Sequence, residues 1–208
     1  MKKIHKILVV LGGTSRERKV SLESGKACIK AIKKLGFNVE SFDPAKNFFS
    51  EIDNSKIDVI FNALHGKDGE DGNAQSYFES LRIPYTHSGV ISSMKAMDKE
   101  ISKNIFIKNK ILTPDYFCLD MWNYKKANLQ KLITLNKLSY PIIIKPTDEG
   151  SSIGVKICKN LSSLKLSSKN LFKIYKNLIF EKFIPGQEVQ VAVINNKALG
   201  AIELKPRR

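Results

Sequence analysis

At 208 residues, with 42% hydrophobic and 26% charged residues, the chain has the make-up of a globular protein of one large or two small domains. No run comes near the roughly eighteen consecutive apolar residues of a membrane-spanning helix, so no membrane partner is expected. The net charge of +15 rests on scattered lysines, with only Arg16, Arg18, Arg82, Arg207 and Arg208 as arginines; a nucleic-acid groove would gather arginines and aromatics on one face, so no nucleic-acid partner is expected either.

Met1-Lys2-Lys3 ahead of Ile7–Leu11 has the outline of a signal peptide, but the apolar run is short and ends in Gly12-Gly13. It reads instead as the first buried strand, Lys6–Leu11, of a cytoplasmic protein. Apolar residues at helical spacing (Cys28, Ile32, Leu35) predict a helix over Val20–Leu35, closed by Gly36. Asn38–Phe42 and Asp58–Leu64 predict two more strands. Strand, glycine turn, helix and strand together predict a parallel α/β sheet covered on both faces. Ligands gather at the carboxyl ends of such strands. One of these ends carries Gly12–Arg18, with Glu17 between two arginines; that carboxylate is either a functional group or a simple helix-start charge. The other carries His65–Gly72, where glycines at 66, 69 and 72 permit close approach of a ligand and His65 is either structural or functional.

Asn73–Leu81 and Val90–Met97 predict short helices, with an edge strand around Ile83-Pro84-Tyr85. Glu100–Lys110 predicts a helix that is amphipathic through Ile101, Ile105 and Ile107. The domain boundary falls near Met97–Pro114. Beyond it come a strand at Tyr116–Leu119, a helical face through Leu129, Leu132, Ile133 and Leu135, and a helix over Leu161–Asn177. Leu178–Phe183 reads as a buried strand interrupted by Glu181-Lys182. Glu188–Ile194 alternates strictly and reads as half-buried, turning at Asn195-Asn196-Lys197 into Ala198–Leu204. Cys28, Cys118 and Cys158 are too dispersed for a zinc site or a disulfide framework and read as buried free thiols.

The most informative stretch is YPIIIKPTDEGSSIG, Tyr140–Gly154. Ile142–Ile144 is a buried strand that ends in Lys145-Pro146, so the lysine stands at the sheet's end. The Gly150–Gly154 loop with Ser151-Ser152 can turn its N–H groups and hydroxyls onto an anion, with Val155–Cys158 as the paired strand. A phosphate site and an ordinary hairpin loop both fit this pattern. It is not the Walker arrangement, because the lysine precedes the glycines.

Six motifs stand in one order: GGTSRERKVSL, ALHGKDGEDG, YTHSG, MDK with a serine and a lysine close behind, PIIIKPTDEGSSIGV, and FEKFIPGQEV. From the first strand to residue 208 the chain resembles the D-alanine–D-alanine ligases of the ATP-grasp superfamily. The resemblance implies a Rossmann-like α/β substrate domain over 1–97, a central α+β ATP-grasp domain over 98–185, and the truncated start of the C-terminal ATP-grasp domain over 186–208. It implies phosphorylation of one D-alanine carboxylate by ATP and attack of a second D-alanine's amine, giving D-alanyl-D-alanine for peptidoglycan, in a homodimer. Carried over by motif, Glu17 holds the ammonium of the first D-alanine and forms a hydrogen-bonded set with Ser151. His65 lies near that substrate's carboxylate. Lys99, Lys145 and the loop Gly150, Ser151 and Ser152 meet the ATP phosphates; Glu181, Lys182 and Ile184 hold adenine, and Glu188 the ribose. The magnesium (or manganese) ligands, a mobile Tyr/Lys loop and an intermediate-stabilising arginine are expected beyond residue 208. These 208 residues by themselves are therefore expected to be a fragment without turnover. An inactive nucleotide-binding module and a D-alanine–D-lactate ligase are the alternative readings.

Overall fold

The computed structural model describes residues 4–205; Met1-Lys2-Lys3 and Pro206-Arg207-Arg208 lie outside the described residues. Its first part is a parallel sheet in the order β2–β1–β3, built from β1 (Lys6–Val10), β2 (Asn38–Phe42) and β3 (Val59–Asn62). Alternation along β1 divides the core. Leu8 and Val10 pack with Ile60 and Phe78 on one face, while Val9 packs with Leu11, Ile32 and Ala63 on the other. Helix α1 (Arg18–Lys34) supplies Ile32 and α2 (Asn73–Ser80) supplies Phe78, so each face of the sheet has its own helix. Helix α1 closes with Gly36 at φ +85° and with hydrogen bonds Gly36 N–H to Lys33 and Phe37 N–H to Ile32, a Schellman stop.

The second part is an antiparallel sheet in the order β4–β7–β5–β6, formed by β4 (Tyr116–Asp120), β5 (Ile142–Pro146), β6 (Lys156–Cys158) and β7 (Asn177–Lys182). Helices α3 (Val90–Met97) and α4 (Lys99–Lys108) lead into it, α5 (Met121–Lys126) follows β4, and α6 (Leu129–Leu135) and α7 (Leu161–Leu171) help to close its core. That core joins Ile142, Ile144, Leu164, Leu178 and Phe180, with the Phe117 and Phe180 rings stacked at 4.7 Å. The last pair, β8 (Glu188–Ile194) and β9 (Lys197–Leu204), is a separate hairpin. Its turn residues Asn195 and Asn196 both take positive φ, as a two-residue hairpin turn requires.

Several expectations are corrected. The apolar stripe read on α4 is its outer face: Ile101, Ile105 and Ile107 are 44%, 37% and 56% exposed, while Lys103 is 5% exposed. A lysine goes inward here because its ammonium finds three oxygen partners, described below. Helix α7 ends at Leu171, where the chain turns so that Leu171 O accepts from both Ile174 and Tyr175. The edge strand at Ile83–Tyr85 reduces to one bridge, Ile60 to Tyr85, since Pro84 has no N–H to donate. Strand β8 is exposed along its whole length rather than half-buried. All three cysteines are free, but only Cys158 is buried; Cys28 and Cys118 are half-buried.

Candidate functional site

The site forms where the end of β1, the end of β3 and the loop after β5 meet. Glu17 caps α1 without a side-chain capping bond, which leaves its carboxylate to turn away from the helix. It is buried, and Ser151 Oγ donates to it across 134 positions of sequence. Gly66 (φ +70°) and Gly150 pack against the same carboxylate. A Cβ at Gly66 would lie 2.2 Å from Glu17 Oε2, and one at Gly150 would lie 3.1 Å from it. Of the glycines after β3, Gly66 thus makes room for a carboxylate of the chain itself, while Gly69 packs against Leu64 and Gly72 against Met94 and Val90. Ser15 Oγ donates to His65 O at 2.7 Å, and the His65 ring lies between Ser24 Oγ (3.1 Å from Nε2) and Glu70 (3.6 Å from Nδ1). Arg16 ties the first part to the second, donating to Tyr175 Oη at 2.6 Å and standing 3.9 Å from Glu149.

Beside this cluster stands the basic one. Asp98 caps α4 by accepting from Glu100 and Ile101 N–H, which fixes Lys99 in the first turn. The Lys99 main chain donates to Thr147 O at 2.9 Å, and its ammonium donates to Thr147 O and Glu149 O. The β5–β6 loop is thereby pinned to the start of α4. Burial, and next the like charge of Lys145, pull the Lys99 ammonium below its ordinary value against the opposing pull of Asp148, Asp98 and Glu149. The charge of Lys145 beside the Lys99 ammonium is positive charge held together, and a polyanion relieves that repulsion. Ser151 and Ser152 take φ of 45° and 59°, so the loop between them and Gly154 is curled as a nest of N–H groups can be.

Lys145 projects from β5 to Glu181 Oε2 on β7 at 2.6 Å, and Lys103 Nζ meets Glu181 Oε1 at 2.6 Å. Burial pushes the Glu181 carboxyl up, but the two lysine hydrogen bonds outweigh it and hold the group below the usual carboxylate range. The Glu181 side chain is thus engaged inside the protein, and any part it has in an adenine slot falls to its main chain. Lys182, Ile184 and Glu188 lie apart from both clusters, exposed at the exit of β7 and the start of β8. The sequence reading missed Lys103, Gly66's role against Glu17, and the Arg16–Tyr175 tie. The signal for Lys103 was present: it lies one helical turn after Lys99, on the same face.

Among the described residues, no group of three or more His, Cys, Asp or Glu side chains is arranged to hold a metal ion. Glu17 is engaged by Ser151 and Glu181 by Lys103 and Lys145, so these two carboxylates do not fit a magnesium centre.

Comparison with known proteins gives the family. Residues 40–88 match the family described as D-ala D-ala ligase N-terminus, and residues 106–208 match D-ala D-ala ligase C-terminus. The D-alanine–D-alanine ligase of Pelagibacter ubique is 53% identical over 205 residues, covering 98% of this chain and 66% of that protein. The ligase of Geotalea uraniireducens is 40% identical over 207 residues, covering 99% and 64%. Among solved structures, the D-alanine–D-alanine ligase of Bacillus anthracis complexed with ATP superposes with a TM-score of 0.83 at 32% identity, covering 98% of this chain and 67% of that one. The chain belongs to the D-alanine–D-alanine ligase family. Its mixed parallel and antiparallel sheets are those of the ATP-grasp fold of such ligases, as in a second Bacillus anthracis structure with a TM-score of 0.84. The chain spans about two thirds of the length of these curated ligases, 66% and 64%.

Proposed function

We infer that the chain is the nucleotide- and first-substrate-binding part of a cytoplasmic, ATP-dependent ligase that joins two D-alanines to make the dipeptide used in peptidoglycan. The observation that carries this reading is the junction of Glu17 with Ser151, which brings a carboxylate able to hold an ammonium beside a Gly/Ser loop able to hold an anion, in a member of this family. ATP would supply a phosphoryl group that turns one D-alanine carboxylate into an acyl phosphate open to an amine. In this reading Glu17 holds the ammonium of the first D-alanine and His65 faces its carboxylate. Lys99, Lys145 and the Gly150–Ser152 loop take the phosphates, by fixed charge and N–H groups that need no rearrangement. Lys182, Ile184 and the Glu181 main chain border the adenine, and Glu188 the ribose hydroxyls. On this reading residues 1–97 form the substrate domain, 98–185 the central ATP-grasp domain, and 186–208 the start of the C-terminal one.

The test uses the intact gene product with ATP, magnesium and D-alanine. ADP release that depends on D-alanine, with D-alanyl-D-alanine as product, is expected. Lys145→Met is expected to weaken ATP binding at least about tenfold, the scale of a charged hydrogen bond. Unaltered ATP affinity in that variant would remove Lys145 from the phosphate site.

A further inference from the structure

Lys103 belongs to the MDK motif's trailing serine and lysine, and no role above uses it. It is a buried lysine with every ammonium hydrogen placed: Thr113 Oγ1 at 2.6 Å, Pro114 O at 2.9 Å and Glu181 Oε1 at 2.6 Å, over the face of the Tyr116 ring at 4.7 Å. Nothing is left over for a ligand, so Lys103 does not touch one. What it does touch is the carboxylate that holds Lys145.

The charge count shows why a second lysine matters. A lone Lys145–Glu181 pair is neutral, and the carboxylate would cancel the charge a phosphate seeks. With Lys103 on one oxygen and Lys145 on the other, Glu181 has one lysine per oxygen and the three groups sum to one positive charge. Lys103 is anchored by α4 and by the Thr113–Pro114 segment, so the carboxylate it grips is fixed. Lys145, the more exposed of the two lysines, is the free end of this chain. We propose that Lys103 is a positioning residue: by occupying one oxygen of Glu181 it fixes the other as the rest for Lys145, and it keeps the cluster positive toward the phosphates of a nucleotide. The proposal rests on the reading of Lys145 as a phosphate-binding lysine.

The test measures binding by calorimetry on the intact gene product with ATP, ADP and adenosine as separate probes. Lys103→Met is expected to weaken ATP and ADP by about three- to thirty-fold and to leave adenosine within about twofold, on the scale of one charge-assisted contact. A merely structural role would weaken all three alike. In steady state the KM for ATP should rise while the KM for D-alanine holds. Glu181→Gln removes the rest for Lys145 but leaves both lysines charged, so it should lose less ATP affinity than Lys103→Met, and the double variant, in which Lys145 is again unneutralised, should lose no more than Lys103→Met. Should Lys103→Met fail to fold, Glu181→Gln and Thr113→Val, which removes one of the three ammonium partners, carry the same comparison. Equal losses for ATP and adenosine, or none in any clamp variant while Lys145→Met loses ATP, would overturn the positioning role alone. Wild-type protein that binds no ATP, or a Lys145→Met variant that binds it normally, would overturn the underlying reading as well.

Discussion

On the proposed reading, Glu17 is a side chain held for use rather than for stability. One of its oxygens accepts from Ser151 and the other lies against Gly66, so its position is fixed from two loops that are distant in sequence. Replacing it with Gln keeps the volume and removes the charge. We expect Glu17→Gln to raise the KM for D-alanine about tenfold or more, on the scale of a charged hydrogen bond, with ATP affinity unchanged. Initial rates with varied D-alanine, beside a separate nucleotide titration, check this; a parallel fall in ATP affinity would make Glu17 a brace between loops. Asp43 is the opposite case, a side chain held for stability. The Arg18 guanidinium holds its carboxyl at about 2, against burial and with help from the Ala45 and Gly13 N–H groups. Its folded value lies below the ordinary 3.8, so its contribution is present above about pH 4 and is lost as pH falls through 2. Allowing for solvent screening, the contribution is on the order of 1 kcal/mol. Asp43→Asn is therefore expected to be less stable than wild type at about pH 5 and to close the gap by about pH 2. Urea midpoints at the two ends of that window measure it, and a gap that stays constant would refute it.

At the scale of elements, the strands of the two sheets were legible because β-branched runs leave little else to form: Lys6–Leu11 contains β1 and Ile142–Lys145 lies within β5. The end of α1 was legible too, because Gly36 takes a conformation that other residues resist. Nothing lies within 4 Å of a Cβ placed there, so Gly36→Ala isolates backbone strain from packing. It is expected to cost about 1–2 kcal/mol, read as a lowered denaturant midpoint with an unchanged slope. Helix α4 was misread because periodicity counts apolar residues and cannot foresee that Lys103 would find Thr113, Pro114 and Glu181. The same blindness covers Glu181. Its place in FEKFIP pointed to adenine, but which way its carboxylate turns depends on β5 lying beside β7, a contact between distant segments. Short α5 escaped notice because its signal is a cap, Asp120 Oδ1 accepting from Asn123 N–H at 2.7 Å, rather than a stripe. The candidate site was legible as a set of loop motifs, while the pairings within it, Ser151 to Glu17 apart, were not.

At the scale of the whole molecule, burial is uneven. Each of the first two sheets has helices on it and a buried core, whereas β8 and β9 stand exposed. Residues opposite one another in a hairpin share a face, so Val189, Val191 and Val193 lie with Ala201 and Ala198 on a mostly apolar surface that Glu203, opposite Val189, bounds at one end. The three valines are 54%, 53% and 63% exposed. Fully burying an exposed valine is worth about 1.5 kcal/mol, so covering the exposed half of each is worth about 0.8 kcal/mol, and three side by side favour any surface that can lie on them. The hairpin also presents two open edges, whose unpaired N–H and C=O groups invite a further strand. A polypeptide of these 208 residues expressed by itself is therefore expected to self-associate through this face as concentration rises. Val191→Lys places a charge at its centre without touching either buried core and is expected to lower that association, as edge and face lysines do. Light scattering across a concentration series, with circular dichroism to confirm equal folding, distinguishes the outcomes. A monodisperse monomer at all concentrations, or equal association in the lysine variant, would show that the valine face does not drive it.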